Sequence, residues 1–483
     1  MVIYGDIKMN RYFCIAILAF LPIFQGVAQE AGHQPDFPAA EFVERRSAVY
    51  AAIGDNIAII QGAEEDNGFI VFRQSNTFYY LSGLEIPSAY MVLDGAKKET
   101  TVYLPHRDAE RERGEGKILS VEDAELVKAI SGAEKVRPIE KMGTDFTYSY
   151  LWRPPTPALY TPFSPDEKFR QSRDEMLSGF GRRTADPWDG RPSKAGHFIN
   201  LLRLRYPQFE IRDLSPTLDD MRLIKSEREI EIIRLASELA GLGIAEAIRS
   251  TKPGIYEYQL EAAAHFVYRL NGARGLGYSA IVAGGTNAWM GHYSANSDPV
   301  RDGDLILMDV APDYHYYTSD VTRMWPSNGR FTQDQRDLYG FIVEYQKSLL
   351  RHIRPGVTPD QIMQESAADM RSVFENIDFS KEIYRAAAEG AFTFKGHLSH
   401  PVGLSVHDVG HYKDRTLVPG MVFSIDPMIW VPEEKLYIRM EDVVVVTEDG
   451  VENLSDNLAI EIDDIERLME EEGVIQKTPS ALL

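Results

Sequence analysis

The chain has 483 residues, of which 44% are hydrophobic, 11% aromatic and 26% charged, values that exclude disordered, collagenous and small disulfide-scaffold classes. Acidic residues outnumber basic ones 73 to 51, a formal net charge of −22, so phosphate backbones are repelled and nucleic acid is excluded as a partner. The single cysteine, Cys14, falls in the leader described next, so the mature chain has no thiolate, and any metal it binds must be held by nitrogen and oxygen ligands.

Lys8 and Arg11 precede an apolar run from Tyr12 to Phe24, followed by Gly26-Val27-Ala28 before Gln29. Charge, apolar core and small-residue cleavage site in this order predict a signal peptide over residues 1–28 and export to the periplasm or beyond the cell. No later stretch reaches the roughly 18 apolar residues of a membrane helix, so no membrane insertion is expected after cleavage. An α/β domain is expected over 29–215. Short apolar runs at Ile57 to Ile60, Tyr90 to Leu93 and Thr101 to Leu104 read as strands, and Ala109 to Ser131 has helical spacing. Between about 151 and 194 the chain carries Pro154, Pro155, Pro157, Pro162, Pro165, Pro187 and Pro192, which predicts an irregular connection.

A second domain, α+β in class, is expected over 216–483. Ser226 and Glu229 form a capping box ahead of Ile232, Leu235, Leu239 and Leu242 at helical spacing, and Lys252-Pro253-Gly254 stops that helix. A helix from Tyr256 to Leu270 follows. Strands are expected at Leu305 to Met308, Val321 to Met324, Val422 to Ile425 and Leu436 to Val446, with helices around Gln335 to His352, Pro359 to Phe374 and Ile465 to Glu472.

The chemistry-bearing residues lie in this domain. Asp309 ends one strand-like run and Asp320 begins the next, and an acidic residue at the end of an apolar strand costs several kcal/mol to desolvate unless a cation or hydrogen bonds compensate. Taken singly, each reads more often as a turn former or hydrogen-bonded cap; together they suggest two carboxylates brought side by side by a hairpin. Five histidines, His315, His397, His400, His407 and His411, cluster in sequence near turn glycines. Asp426 closes the run Met421 to Ile425, and period-2 alternation places Arg439 and Glu441 on one face of the last strand. Four carboxylates and one imidazole form a hard ligand set suited to a pair of divalent ions such as Mn²⁺.

Asp309, Asp320, His400, Asp426 and Glu441, in this order and with His292 in Gly291-His292-Tyr293 ahead of them, resemble the creatinase/aminopeptidase "pita-bread" metallopeptidase family, in its Xaa-Pro aminopeptidase and Xaa-Pro dipeptidase branch. The segment Phe72 to Gly83 is similar to the opening of the aminopeptidase P N-terminal domain. The resemblance implies a strongly curved sheet covered by helices in the C-terminal domain, and hydrolysis of the N-terminal Xaa-Pro bond of peptides. It implies two divalent ions, with Mn²⁺ expected first and Zn²⁺, Co²⁺ or Fe²⁺ also compatible. Asp309 would ligate one ion, Asp320 and Glu441 would bridge the two, and His400 and Asp426 would complete the second. His407 would hydrogen-bond the scissile carbonyl oxygen, His292 and His397 would line the substrate pocket, and Arg439 would anchor ligands or substrate. Asp426-Pro427-Met428 departs from the family's Glu-Pro-Gly, at the residue that is both ligand and acid/base. A dipeptidase on the same fold and a catalytically silent peptide-binding member are the alternatives, and self-association is compatible with either.

Overall fold

The computed structural model describes residues 36–64 and 71–478, so the leader and Cys14 lie outside the described residues. The N-terminal part is built on one six-stranded mixed sheet, in spatial order Lys135–Pro138, Glu99–Leu104, Tyr90–Asp94, Ile57–Gln61, Leu159–Thr161 and Ile211–Asp213. Ile57–Gln61 shows why a short unbroken apolar run becomes a strand here. Its period of two sends Ala58 and Ile60 into one core cluster and Ile57 and Ile59 into another, so both faces are buried.

Two expectations in this region are corrected. The helical stretch from Ala109 to Ser131 is two helices, Ala109–Glu115 and Ala124–Ser131, because Gly116 ends the first with φ of 94°. The proline-rich middle contains a regular helix, Arg173–Ala185. All seven prolines fall outside it, and Ser172 with Glu175 supplies a reciprocal capping box at its start.

The second part is antiparallel throughout. Ile281–Gly284, Leu305–Asp309 and Thr322–Pro326 form one sheet, Val422–Ile425, Asp442–Val446 and Val451–Asn453 a second, and Met428–Val431 with Leu436–Arg439 a hairpin. Helices Glu227–Ser250, Glu257–Leu270, Gln333–His352, Pro359–Asn376 and Glu382–Phe392 pack around them. The last of these was not expected. The predicted strand from Leu436 to Val446 is also corrected: it breaks at Met440 and Glu441. There Met440 N–H donates to the Pro427 carbonyl at 3.3 Å, and Glu441 bridges to Thr322. The chain thus leaves the hairpin and joins the neighbouring sheet, and Glu441 sits at the crossing.

The two parts share a core. Val422, Val443 and Val445 pack with N-terminal residues such as Phe78 and Leu81, while Phe423, Ile425, Val444 and Val446 face the cluster beneath the helices. Ser226 Oγ accepts from Glu229 N at 3.3 Å, and Glu229 also reaches Arg45, 3.3 Å away on the N-terminal helix Ala39–Ile53. Among the described residues no helix is long and apolar enough to cross a membrane.

Candidate metal centre

Strand ends deliver the acidic residues to one place. Asp309, last residue of Leu305–Asp309, pairs with Thr322 of the antiparallel neighbour, and Asp320 lies two residues before that partner. The Tyr278 hydroxyl joins them, 2.6 Å from Asp309 Oδ1 and 2.8 Å from Asp320 Oδ1. Asp426 follows Val422–Ile425, and Glu441, 0% exposed, precedes Asp442–Val446. His400 arrives on the segment whose Pro401 bridges to Phe423.

Asp320, His400 and Glu441 each present a donor atom within 4.8 Å of the others. The tautomer of His400 suits ligation. Its Nδ1 lies 3.2 Å from the Pro401 carbonyl oxygen, which can only accept, so Nδ1 carries the hydrogen and Nε2 the lone pair. Nε2 is 3.3 Å from Asp320 Oδ2 and 3.8 Å from Glu441 Oε1. Burial holds the His400 pKa below the usual imidazole value, which keeps the ring neutral.

Arg439, 7% exposed, sits among the carboxylates. Its Nη1 is 3.0 Å from Asp309 Oδ2, its Nε 2.9 Å from Asp426 Oδ1, and its Nη2 contacts Glu441 Oε2. One guanidinium does not compensate four carboxylates, three of them buried and Asp426 nearly so. Burial, then Glu441 and Asp309, push the Asp320 pKa well above the carboxylate range. Burial does the same to Asp426 against the opposing pull of Arg439. Glu441 Oε1 is buried with no hydrogen-bond donor. A buried oxygen-rich cluster with excess negative charge and an orphaned carboxylate oxygen fits hard divalent cations.

The other expected residues are placed less uniformly. The His407 ring lies 4.3 Å from that of His400, centroid to centroid, and its Nδ1 is 2.8 Å from Asp174 Oδ2. His397 is exposed with its ring edge-on to Phe394, and burial, Lys413 and His400 lower its pKa. His292 is exposed on the loop after the turn Gly285–Met290. His315 pairs with Asp36 and His411 with Asp414, outside the cluster. Sequence reasoning missed Tyr278, which carries no motif. It also missed Arg323, fully buried, which fixes Glu441 from behind by donating to its carbonyl at 2.8 Å and to Asp442 Oδ1 at 2.6 Å.

Residues 231–448 match the model of metallopeptidase family M24, and residues 42–150 match that of the aminopeptidase P N-terminal domain. The Xaa-Pro aminopeptidase of Haemophilus influenzae is 30% identical over 91% of this chain and 99% of its own length. The chain belongs to metallopeptidase family M24. Two further comparisons place this M24 chain in the aminopeptidase P group. The Xaa-Pro aminopeptidase of Escherichia coli is 31% identical over 82% of this chain and 89% of its own length. A structure of Escherichia coli aminopeptidase P with the inhibitor Pro-Leu superposes with a TM-score of 0.74 at 28% identity, covering 92% of this chain and all of that one. The M24 chain is thus a metallo-exopeptidase with an N-terminal aminopeptidase P-type domain and a C-terminal pita-bread domain.

Proposed function

We propose that this chain removes the N-terminal residue that precedes proline, using a pair of divalent ions of which Mn²⁺ is the first expected. The observation that carries the reading is the buried convergence of Asp320, neutral His400 and Glu441, in a chain that aligns over nearly the whole length of an Xaa-Pro aminopeptidase. Asp309, Asp320, His400, Asp426 and Glu441 would hold the ions, their oxygen-dominated set favouring Mn²⁺ over thiophilic metals. When bound, such a pair supplies Lewis acidity and an activated water.

The remaining steps fall to side chains. Asp426 accepts the proton of the attacking water and returns it to the proline nitrogen as the amide bond breaks. His407, beside His400, offers Nε2 to the scissile carbonyl oxygen as charge develops there. Arg439 and the exposed His292 and His397 line the approach and hold the substrate. An X-Pro amide has no N–H to anchor, so the shape of the ring must be recognised instead.

The inhibitor of the Escherichia coli protein, Pro-Leu, carries a residue after proline, which supports cleavage of substrates longer than two residues. Product analysis of metal-loaded protein on Xaa-Pro and Xaa-Pro-Yaa peptides tests this. Release of Xaa with Pro-Yaa intact is expected. Hydrolysis confined to dipeptides puts an Xaa-Pro dipeptidase in its place, and no hydrolysis of either leaves a silent peptide-binding member.

We further propose export with cleavage after Ala28, supported by the order of charge, apolar run and small residues. N-terminal sequencing of protein from its native host should start near Gln29. Recovery of intact Met1 or Met9 in the cytosol would overturn it.

A further inference from the structure

The segment between Pro162 and the helix Arg173–Ala185 forms a strap that touches two neighbours of the metal cluster. Arg170 Nε donates to the Leu276 carbonyl at 3.1 Å, two residues before Tyr278, whose hydroxyl joins Asp309 and Asp320. Ser172 Oγ accepts from the backbone N–H of His407 at 3.1 Å, and Asp174 Oδ2 lies 2.8 Å from His407 Nδ1.

The strap is clamped by ion pairs, some of them buried. Arg173 Nη1 holds Asp219 at 2.6 Å, and Glu167 accepts from Arg222 at 3.0 Å. Arg222 also contacts Asp408, which Lys225 reaches at 3.1 Å. Glu167, Arg222, Lys225 and Asp408 are all nearly fully buried, so the strap and the residue after His407 share one rigid frame.

A histidine ring can flip, which exchanges the places of its two nitrogens. A carboxylate accepts only, so the nitrogen that faces it must carry a hydrogen. Resting on the metallopeptidase reading above, we propose that Asp174 is a positioning residue for His407: by accepting from Nδ1–H it fixes the ring orientation, so that Nε2–H is the donor turned to the scissile oxygen. The strap acts on the reaction through this one carboxylate, from a segment outside both residue ranges that match the family models.

Asp174→Ala tests this. Asp174 is 59% exposed at its side chain, and the capping box of its helix uses Ser172 and Glu175, so the fold and thermal midpoint should be unchanged. Loss of an orienting partner is expected to lower kcat about 10- to 100-fold while KM on an Xaa-Pro-Yaa peptide stays within about twofold. A second readout is independent of turnover. In zinc-loaded, diamagnetic protein labelled with ¹⁵N-histidine, the His407 resonances, assigned by their loss in His407→Gln, should show Nδ1–H in the wild type and lose it in Asp174→Ala. Unchanged kcat, or a retained Nδ1–H in the variant, overturns the proposal. A wild type without peptidase activity would instead overturn the functional reading, and the Nδ1 resonance would still decide whether Asp174 holds the ring.

Discussion

Arg439 touches Asp309, Asp426 and Glu441 at once, so the charge balance of the centre is set residue by residue. Asp426 is the most exacting member. Aspartate is one methylene shorter than glutamate, yet its Oδ1 lies 2.9 Å from Arg439 Nε. Met428 opens a strand paired with Arg439, and the Tyr437 hydroxyl donates to its sulfur at 3.4 Å. Asp426→Asn keeps the shape and removes the charge and the proton-carrying oxygen. It should leave the fold intact and lower kcat by about two orders of magnitude or more, read together with metal content. Wild-type turnover with full metal occupancy would assign the proton transfer to another group. Acids at the ends of apolar runs stand out, but singly each reads as a turn former or cap, so the set of five candidate ligands was legible only through the family resemblance; the structure brings donor atoms of Asp320, His400 and Glu441 together. Tyr278 and Arg323 were not legible, because a buried tyrosine or arginine gives no signal until its partners are known.

Elements decide how firmly those residues are held. The strands Val422–Ile425 and Asp442–Val446 were legible as continuous apolar runs because both faces are buried, each against a different cluster. The helix Arg173–Ala185 was obscured by flanking prolines, although Ser172 and Glu175 spell out its start. Behind His407, the loop depends on close approach: a Cβ on Gly403 would overlap the Asp408 carboxylate and meet Lys225 Cε at 3.0 Å. Burial alone would raise the Asp408 pKa, but Arg222 and Lys225 outweigh it and hold it below the usual 3.8. A carboxylate whose folded pKa is depressed contributes stability that is fully present above its unfolded pKa and lost as pH falls through the folded one. Asp408→Asn leaves two buried cations short of a partner, at a cost of about 3–5 kcal/mol. The gap in urea midpoint between wild type and variant should therefore be constant from about pH 5 to 8 and narrow only below about pH 4. A gap that narrows near pH 6 would mean that another group controls it.

At the scale of the whole molecule two electrostatic loads coexist, and they respond differently to ions. The net charge of −22 is spread over the surface and is screened by simple salt, with a Debye length near 8 Å at about 0.15 M. The carboxylates at Arg439 lie in the shared interior, where salt does not reach. The sequence showed the first load directly and the second only as spaced letters, because the convergence of residues 309, 320, 400, 426 and 441 requires the folded sheets. Chelator-treated protein should thus gain some stability from sodium chloride, by relief of surface repulsion, and a further increment from Mn²⁺ at an ionic strength held constant by that salt. For one site at a hundred times its dissociation constant the increment is about 2.7 kcal/mol, and the same additions should restore hydrolysis. Replacing Glu441 by glutamine removes a carboxylate that reaches His400, Arg439 and Thr322. That variant should keep the sodium chloride response and lose most of the Mn²⁺ increment. If sodium chloride alone reproduces the whole stabilisation in the wild type, or if E441Q responds to Mn²⁺ as the wild type does, the buried cluster is not where the ion acts.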